Sequence, residues 1–128
     1  MIPVKVADLL FSRLSSQRWT VRRDEGSEAG SPQQDLVVTA PNGKVYLIEL
    51  KEGEEPTHFA TIAQLERSAR LLSEQEGGEV VPILLTSQAV RERISELADN
   101  SGVLVVEATG SDQEAAESLI HFLQKESK

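Results

Sequence analysis

No cysteine occurs in the 128 residues, so neither a disulfide framework nor a thiolate metal site is available to this chain. No apolar run approaches the roughly 20 residues that cross a bilayer. The opening Met1-Ile2-Pro3-Val4-Lys5 lacks the long apolar stretch of a secretory signal. A cytoplasmic protein is the economical reading of these absences. Positive charge is scarce as well. Thirteen Lys and Arg face 21 Asp and Glu, a net charge of −8, which argues against a protein that grips nucleic acid with its whole surface. The shortage is uneven. Residues 1 to 23 carry Lys5, Arg13, Arg18, Arg22 and Arg23 against Asp8 alone, whereas Glu52, Glu54 and Glu55 crowd one short stretch. Any nucleic-acid contact is therefore expected to be local. Internal repeats and low-complexity tracts are absent too.

What is present has the balance of a globular domain: 39% hydrophobic and 27% charged residues, at a length that suits one domain over 1–128. Val4, Ala7, Leu10, Phe11 and Leu14 recur at helical spacing, with Pro3 suited to the first turn. Trp19 to Arg23 reads as a short strand with Trp19 and Val21 on one face. Asp24 to Gln33, rich in Gly, Ser, Glu and Pro, reads as a loop. Asp35 to Ala40 and Val45 to Leu50 are apolar runs joined by Pro41-Asn42-Gly43-Lys44, a strong hairpin signal. Their continuous apolar blocks, Leu36-Val37-Val38 and Tyr46-Leu47-Ile48, fit strands covered on both faces.

Beyond a loop over Glu52 to His58, a helical stripe of Phe59, Ile62, Leu65, Ala69 and Leu72 ends at Gly77-Gly78. Val80 to Thr86 reads as a buried strand, with Pro82 tolerated near its start or at an edge. Ser87 is expected to cap a helix carrying Val90, Ile94, Leu97 and Ala98, ended by Asn100-Ser101-Gly102. Val103 to Val106 is a further strand. A last helix begins at Ser111 or Asp112 and carries Ala115, Ala116, Leu119, Ile120 and Leu123. Strand and helix alternate through this second half, which implies parallel pairing and right-handed crossovers. The expected architecture is α/β, a mixed sheet with helices on both faces.

Glu49 and Lys51 are two apart, so on a strand they share one face while Leu50 takes the other. A carboxylate and an amine on an otherwise buried strand belong near its end, where water or a ligand reaches them, because an uncompensated buried charge costs several kcal/mol, about 3–5 when a pair is broken. Asp35 starts the antiparallel neighbour and so lies near that same end. Two carboxylates suit Mg²⁺, which keeps several waters and also takes phosphate oxygens. The bland alternative is an exposed Glu49–Lys51 ion pair worth about 0–1 kcal/mol, beside an Asp35 that merely begins its strand.

Asp35, thirteen further residues and then Glu49-Leu50-Lys51, set between a preceding and a following helix, resemble the PD-(D/E)XK nuclease superfamily. The resemblance covers most of the chain and implies a restriction-endonuclease-like three-layer α/β/α sandwich with a central mixed β-sheet. It implies Mg²⁺ (or Mn²⁺) held by Asp35, Glu49 and the carbonyl of Leu50, with Lys51 assisting catalysis and Gln64 as the polar residue of the following helix. The implied activity is hydrolysis of DNA phosphodiester bonds, by a homodimer or beside a partner subunit. Gln34 stands where the motif has proline, and Asp8 is the one acid on the first helix, where some members place another. The alternative is a nuclease-fold module without catalysis, acting in binding or assembly. A phosphate-ester hydrolase ranks behind both, since no loop offers a nucleotide cradle. Several other residues read more simply as structure: His58 as a solvated loop residue, His121 as a partly buried surface residue, Arg67 and Arg70 as partners of helix-surface glutamates, and Trp19 as a core or interface anchor.

Overall fold

The apolar run around Tyr46 forms the central strand of the molecule, and every other element is placed relative to it. In the computed structural model, described over residues 4–24, 35–51, 59–86, 90–107 and 111–127, the chain runs α1 (Val4–Ser15), β1 (Thr20–Asp24), β2 (Asp35–Thr39), β3 (Val45–Lys51), α2 (Phe59–Glu76), β4 (Val80–Thr86), α3 (Glu92–Ser101), β5 (Leu104–Glu107), α4 (Asp112–Glu126). The strands lie in the order β1-β2-β3-β4-β5. β1, β2 and β3 pair antiparallel, and β3, β4 and β5 pair parallel. The sheet is mixed, as the sequence implies, and its parallel half is the half whose strands are joined through helices.

Each strand divides its side chains between two cores, because successive residues point to opposite faces. On one face Leu36, Val38, Tyr46, Ile48, Ile83 and Leu85 meet Leu10 and Leu14 of α1 and Ala116, Leu119, Ile120 and Leu123 of α4. On the other, Val37, Leu47, Val80 and Leu84 meet Ile62, Leu65, Ala69 and Leu72 of α2 and Ile94 and Ala98 of α3. The result is a three-layer α/β/α sandwich. Full coverage explains the unbroken apolar runs of β2, β3 and β4. Among the described residues, no helix is long and apolar enough to cross a membrane.

Local chemistry sets the joints. In the β2–β3 turn Gly43 N donates to Ala40 O at 2.9 Å and Lys44 N to the Asn42 side chain at 2.9 Å. Only Gly43 takes positive φ there (91°), so the glycine rather than the Asn-Gly pair supplies the left-handed residue of a three-residue hairpin loop. Gly102, at φ 74°, closes α3 with its N–H turned back to Ala98 O and Asp99 O. Ser111 caps α4 by accepting from Glu114 N, one of the two starts read from the sequence. Pro82 is the third residue of β4, where β5 has not yet begun, since the β5 pairing starts at Ile83. At that level β4 has one neighbour, and a missing N–H is tolerated.

Several expectations are corrected, and those for Trp19 and Arg70 are met. Phe11 and Phe59 fall on the periodic stripes of their helices yet are 56% and 55% exposed. Leu9 packs against the α1 core instead. The third helix begins at Glu92 after Arg91, which makes no side-chain cap, so Val90 precedes the helix while still packing against its core. Ser87 lies outside the described residues, as do His58, the expected loop over 52–58 and residues 25–33 of the loop expected over 24–33. β1 extends one residue further than expected, to Asp24. His121 is exposed. Trp19 is a core residue, stacked on Tyr46 with ring centroids 6.2 Å apart. Arg70 pairs with Glu66 one turn away at 3.2 Å.

Two outcomes are expected from this packing. Leu65→Ala removes a buried anchor of α2 and should lower unfolding free energy by roughly 2–5 kcal/mol in urea; a loss below 1 kcal/mol would mean that α2 is not seated on the sheet. Tyr46 is the single tyrosine, its hydroxyl is buried without a hydrogen-bond partner, and burial raises its pKa above the usual 10.0. The unfolded chain therefore ionises first, and stability present below about pH 10 declines as pH rises through the folded value. Ultraviolet titration should place this phenol above 10.0, and Tyr46→Phe should flatten the alkaline loss of stability; a midpoint at or below 10.0 contradicts the burial argument.

Candidate active site

The pleat of β3 puts Glu49 and Lys51 on the face covered by α2, since Leu47 is in that core and Tyr46 and Ile48 are in the other. Glu49 is buried, 5% exposed, and is not without a partner. β2 runs opposite to β3 with Leu36 beside Ile48 and Val37 beside Leu47. One further step along that register carries Asp35 to the level of Glu49, on the same face. Neighbouring strands are about 4.8 Å apart, so the two positions are adjacent across the sheet.

Sequence reasoning missed three residues nearby. Asp24 closes β1 as the register partner of Asp35, so adjacent strands carry acids side by side. Like charges directly opposite in a sheet are unfavourable unless something offsets them. The signal was hidden because Asp24 opens a stretch with loop composition. Thr86 ends β4, is buried, and is the register partner of Lys51, with Glu107 of β5 next in the same row. Glu107 is exposed and accepts from Val90 N at 3.3 Å. Thr61, in the first turn of α2, is also buried. Thr86 ends an apolar run and so reads as a strand former, and Thr61 lies beside the helical stripe of Phe59 and Ile62, which is why neither hydroxyl stood out.

The remaining sequence candidates are placed as follows. Leu50 sits between Glu49 and Lys51 on β3, paired with Leu85. Gln64 is exposed on α2, next to buried Leu65. Asp8 is exposed on α1, in the layer on the other side of the sheet from α2. Among the described residues no three His, Cys, Asp or Glu are grouped to hold a metal ion; Asp24, Asp35, Leu50 and Lys51 enter by backbone position alone. That position puts Asp24, Asp35 and Glu49 at one level of the sheet, with Lys51 two residues further along β3.

The location also has an electrostatic logic. β3 and β4 are parallel, so α2 leaves the C-terminal end of β3 and returns the chain to the start of β4. The N-terminus of α2 therefore stands at the end of the sheet that carries Glu49, and α3 starts at that end for the same reason. Helix N-termini carry partial positive charge and favour nearby carboxylates, typically by about 0.3–1 kcal/mol.

No protein-family model and no curated protein matches the chain. Solved structures match it. EndoMS in its apo form aligns with a TM-score of 0.67 and 17% identity, over 87% of this chain and 48% of that one. A repair endonuclease from Pyrococcus abyssi aligns at 0.60 and 16%, again over 87% and 48%. An EndoMS–dsDNA2 complex aligns at 0.54 and 14%, with the same coverage. The chain thus spans about half the length of each of these structures. At such identities the likeness speaks for the fold alone, a three-layer α/β/α sandwich around a mixed sheet that the chain shares with these endonuclease structures.

Proposed function

We propose that this chain is a Mg²⁺- or Mn²⁺-dependent nuclease that hydrolyses DNA phosphodiester bonds. The observation that carries this reading is a buried carboxylate, Glu49, at the register level of Asp35 on the neighbouring strand, with Lys51 two residues along on the same face. Asp35 and Glu49 would hold the metal, with the Leu50 carbonyl as a further ligand. A bound metal supplies an activated water and polarises the phosphate. Lys51 would orient that water or offset negative charge growing on the phosphate. Gln64 would contribute a polar contact from α2.

The solved neighbours include a repair endonuclease and a DNA complex, which supports nucleic acid as the substrate class. DNA contact would be local, because the net charge is −8. Arg67, exposed on α2, is available to a phosphate backbone, whereas Arg70 is paired with Glu66. A homodimer or a partner subunit would supply the rest of the grip.

The acidic balance favours one second reading, a module that keeps the fold and works in binding or assembly. Two measurements separate the readings. Purified protein should cleave branched, single-stranded or duplex DNA with Mg²⁺ or Mn²⁺, and Asp35→Ala, Glu49→Gln and Lys51→Ala should each lower the rate at least about a hundredfold. Calorimetry should show Mn²⁺ binding that Asp35→Ala and Glu49→Gln abolish. Equal cleavage by parent and mutants would assign the activity to a contaminant, and metal binding indifferent to both acids would favour the assembly module.

A further inference from the structure

Apart from the Tyr46 hydroxyl in the α1–α4 core, the residues whose burial is described include three buried polar or charged ones, Glu49, Thr61 and Thr86. These three belong to the α2 side of the sheet and stand at one end of it: near the end of β3, in the first turn of α2 and at the end of β4. A buried hydroxyl is costly if its hydrogen bonding is not met. Thr86 is 3% exposed and is not without a partner. It closes a strand that is otherwise Val80-Val81-Pro82-Ile83-Leu84-Leu85.

Register makes Thr86 specific to the lysine. Glu49 is level with Leu84, and Lys51 is level with Thr86. Thr86 therefore flanks Lys51 on the side away from β2, where Asp35 stands. A lysine has a flexible four-carbon stem and loses rotamer entropy when it is held in one place. A neighbouring carboxylate would hold it by neutralising it. A hydroxyl accepts a hydrogen bond from the ammonium and leaves the charge available to a phosphate.

We propose that Thr86 is a positioning residue for Lys51, its hydroxyl restraining the lysine amine beside Glu49. The consequence for cleavage rests on the nuclease reading of the site; the restraint does not. The test therefore has one arm without DNA. The chain has five lysines, so in protein labelled with ¹⁵N-lysine the Lys51 ammonium signal is assigned by its loss in Lys51→Arg. It should be sharp in the parent and in Thr86→Ser, and broadened in Thr86→Val, with unfolding midpoints of the Thr86 variants matched. In the second arm, Thr86→Val should lower kcat about tenfold at little-changed KM, while Thr86→Ser keeps at least about half of the parent rate. An unchanged Lys51 signal in Thr86→Val overturns the proposal whatever the cleavage rates. A broadened signal in a protein that cleaves no DNA upholds the restraint and overturns the nuclease reading instead.

Discussion

The pairing of β3 with two neighbours of opposite sense is the constraint from which the rest of the molecule follows. β2 meets it antiparallel through a tight turn, and β4 meets it parallel through α2. The antiparallel contact brings the start of β2 to the end of β3. The parallel contact brings the ends of β3 and β4 together. Asp35, Glu49, Lys51 and Thr86 are consequently gathered at one end of the sheet from separate segments of the chain. A slip of one residue in either pairing would turn the Glu49 and Lys51 positions toward the α1–α4 core and send Tyr46 and Ile48 to the α2–α3 side, where the packing is shaped for other residues. Burial of both faces therefore enforces the register that the site needs.

That site holds charge where the fold is otherwise apolar. A carboxylate as buried as Glu49 is tolerated because the strand ends there, because α2 and α3 begin there, and because an amine lies two residues on. Asp24 and Asp35 are register partners at the same level of β1 and β2. The opposite end of the sheet is arranged for stability instead. There Lys44 reaches Glu126 at 3.1 Å and Asn42 donates to Ser127 O at 2.7 Å, tying the hairpin turn to the end of α4.

Much of the architecture was legible because its signals are short-range. Apolar runs of β2, β3 and β4, the glycines after α2 and α3, and Ser111 before α4 each act on the nearest few residues, and each is found where local chemistry places it. The misreadings came from taking periodicity for burial. Phe11 and Phe59 keep helical spacing, but a helix laid on a sheet buries only the strip in contact, and these two fall outside it. Val90 was drawn into α3 by the same spacing, although it packs on the core from outside the helix.

For the site, the spacing of Glu49 and Lys51 and the acid at the head of β2 could be read directly, because strand alternation and hairpin connection are properties of contiguous sequence. Asp24, Thr61 and Thr86 could not. Nothing in a threonine after Leu84-Leu85, or an aspartate before a Gly- and Ser-rich stretch, reveals its neighbour on another strand. The parallel register of β3 with β4 and the length of β1 depend on contacts between distant segments, and those contacts are decided only when two cores pack on both faces of one sheet.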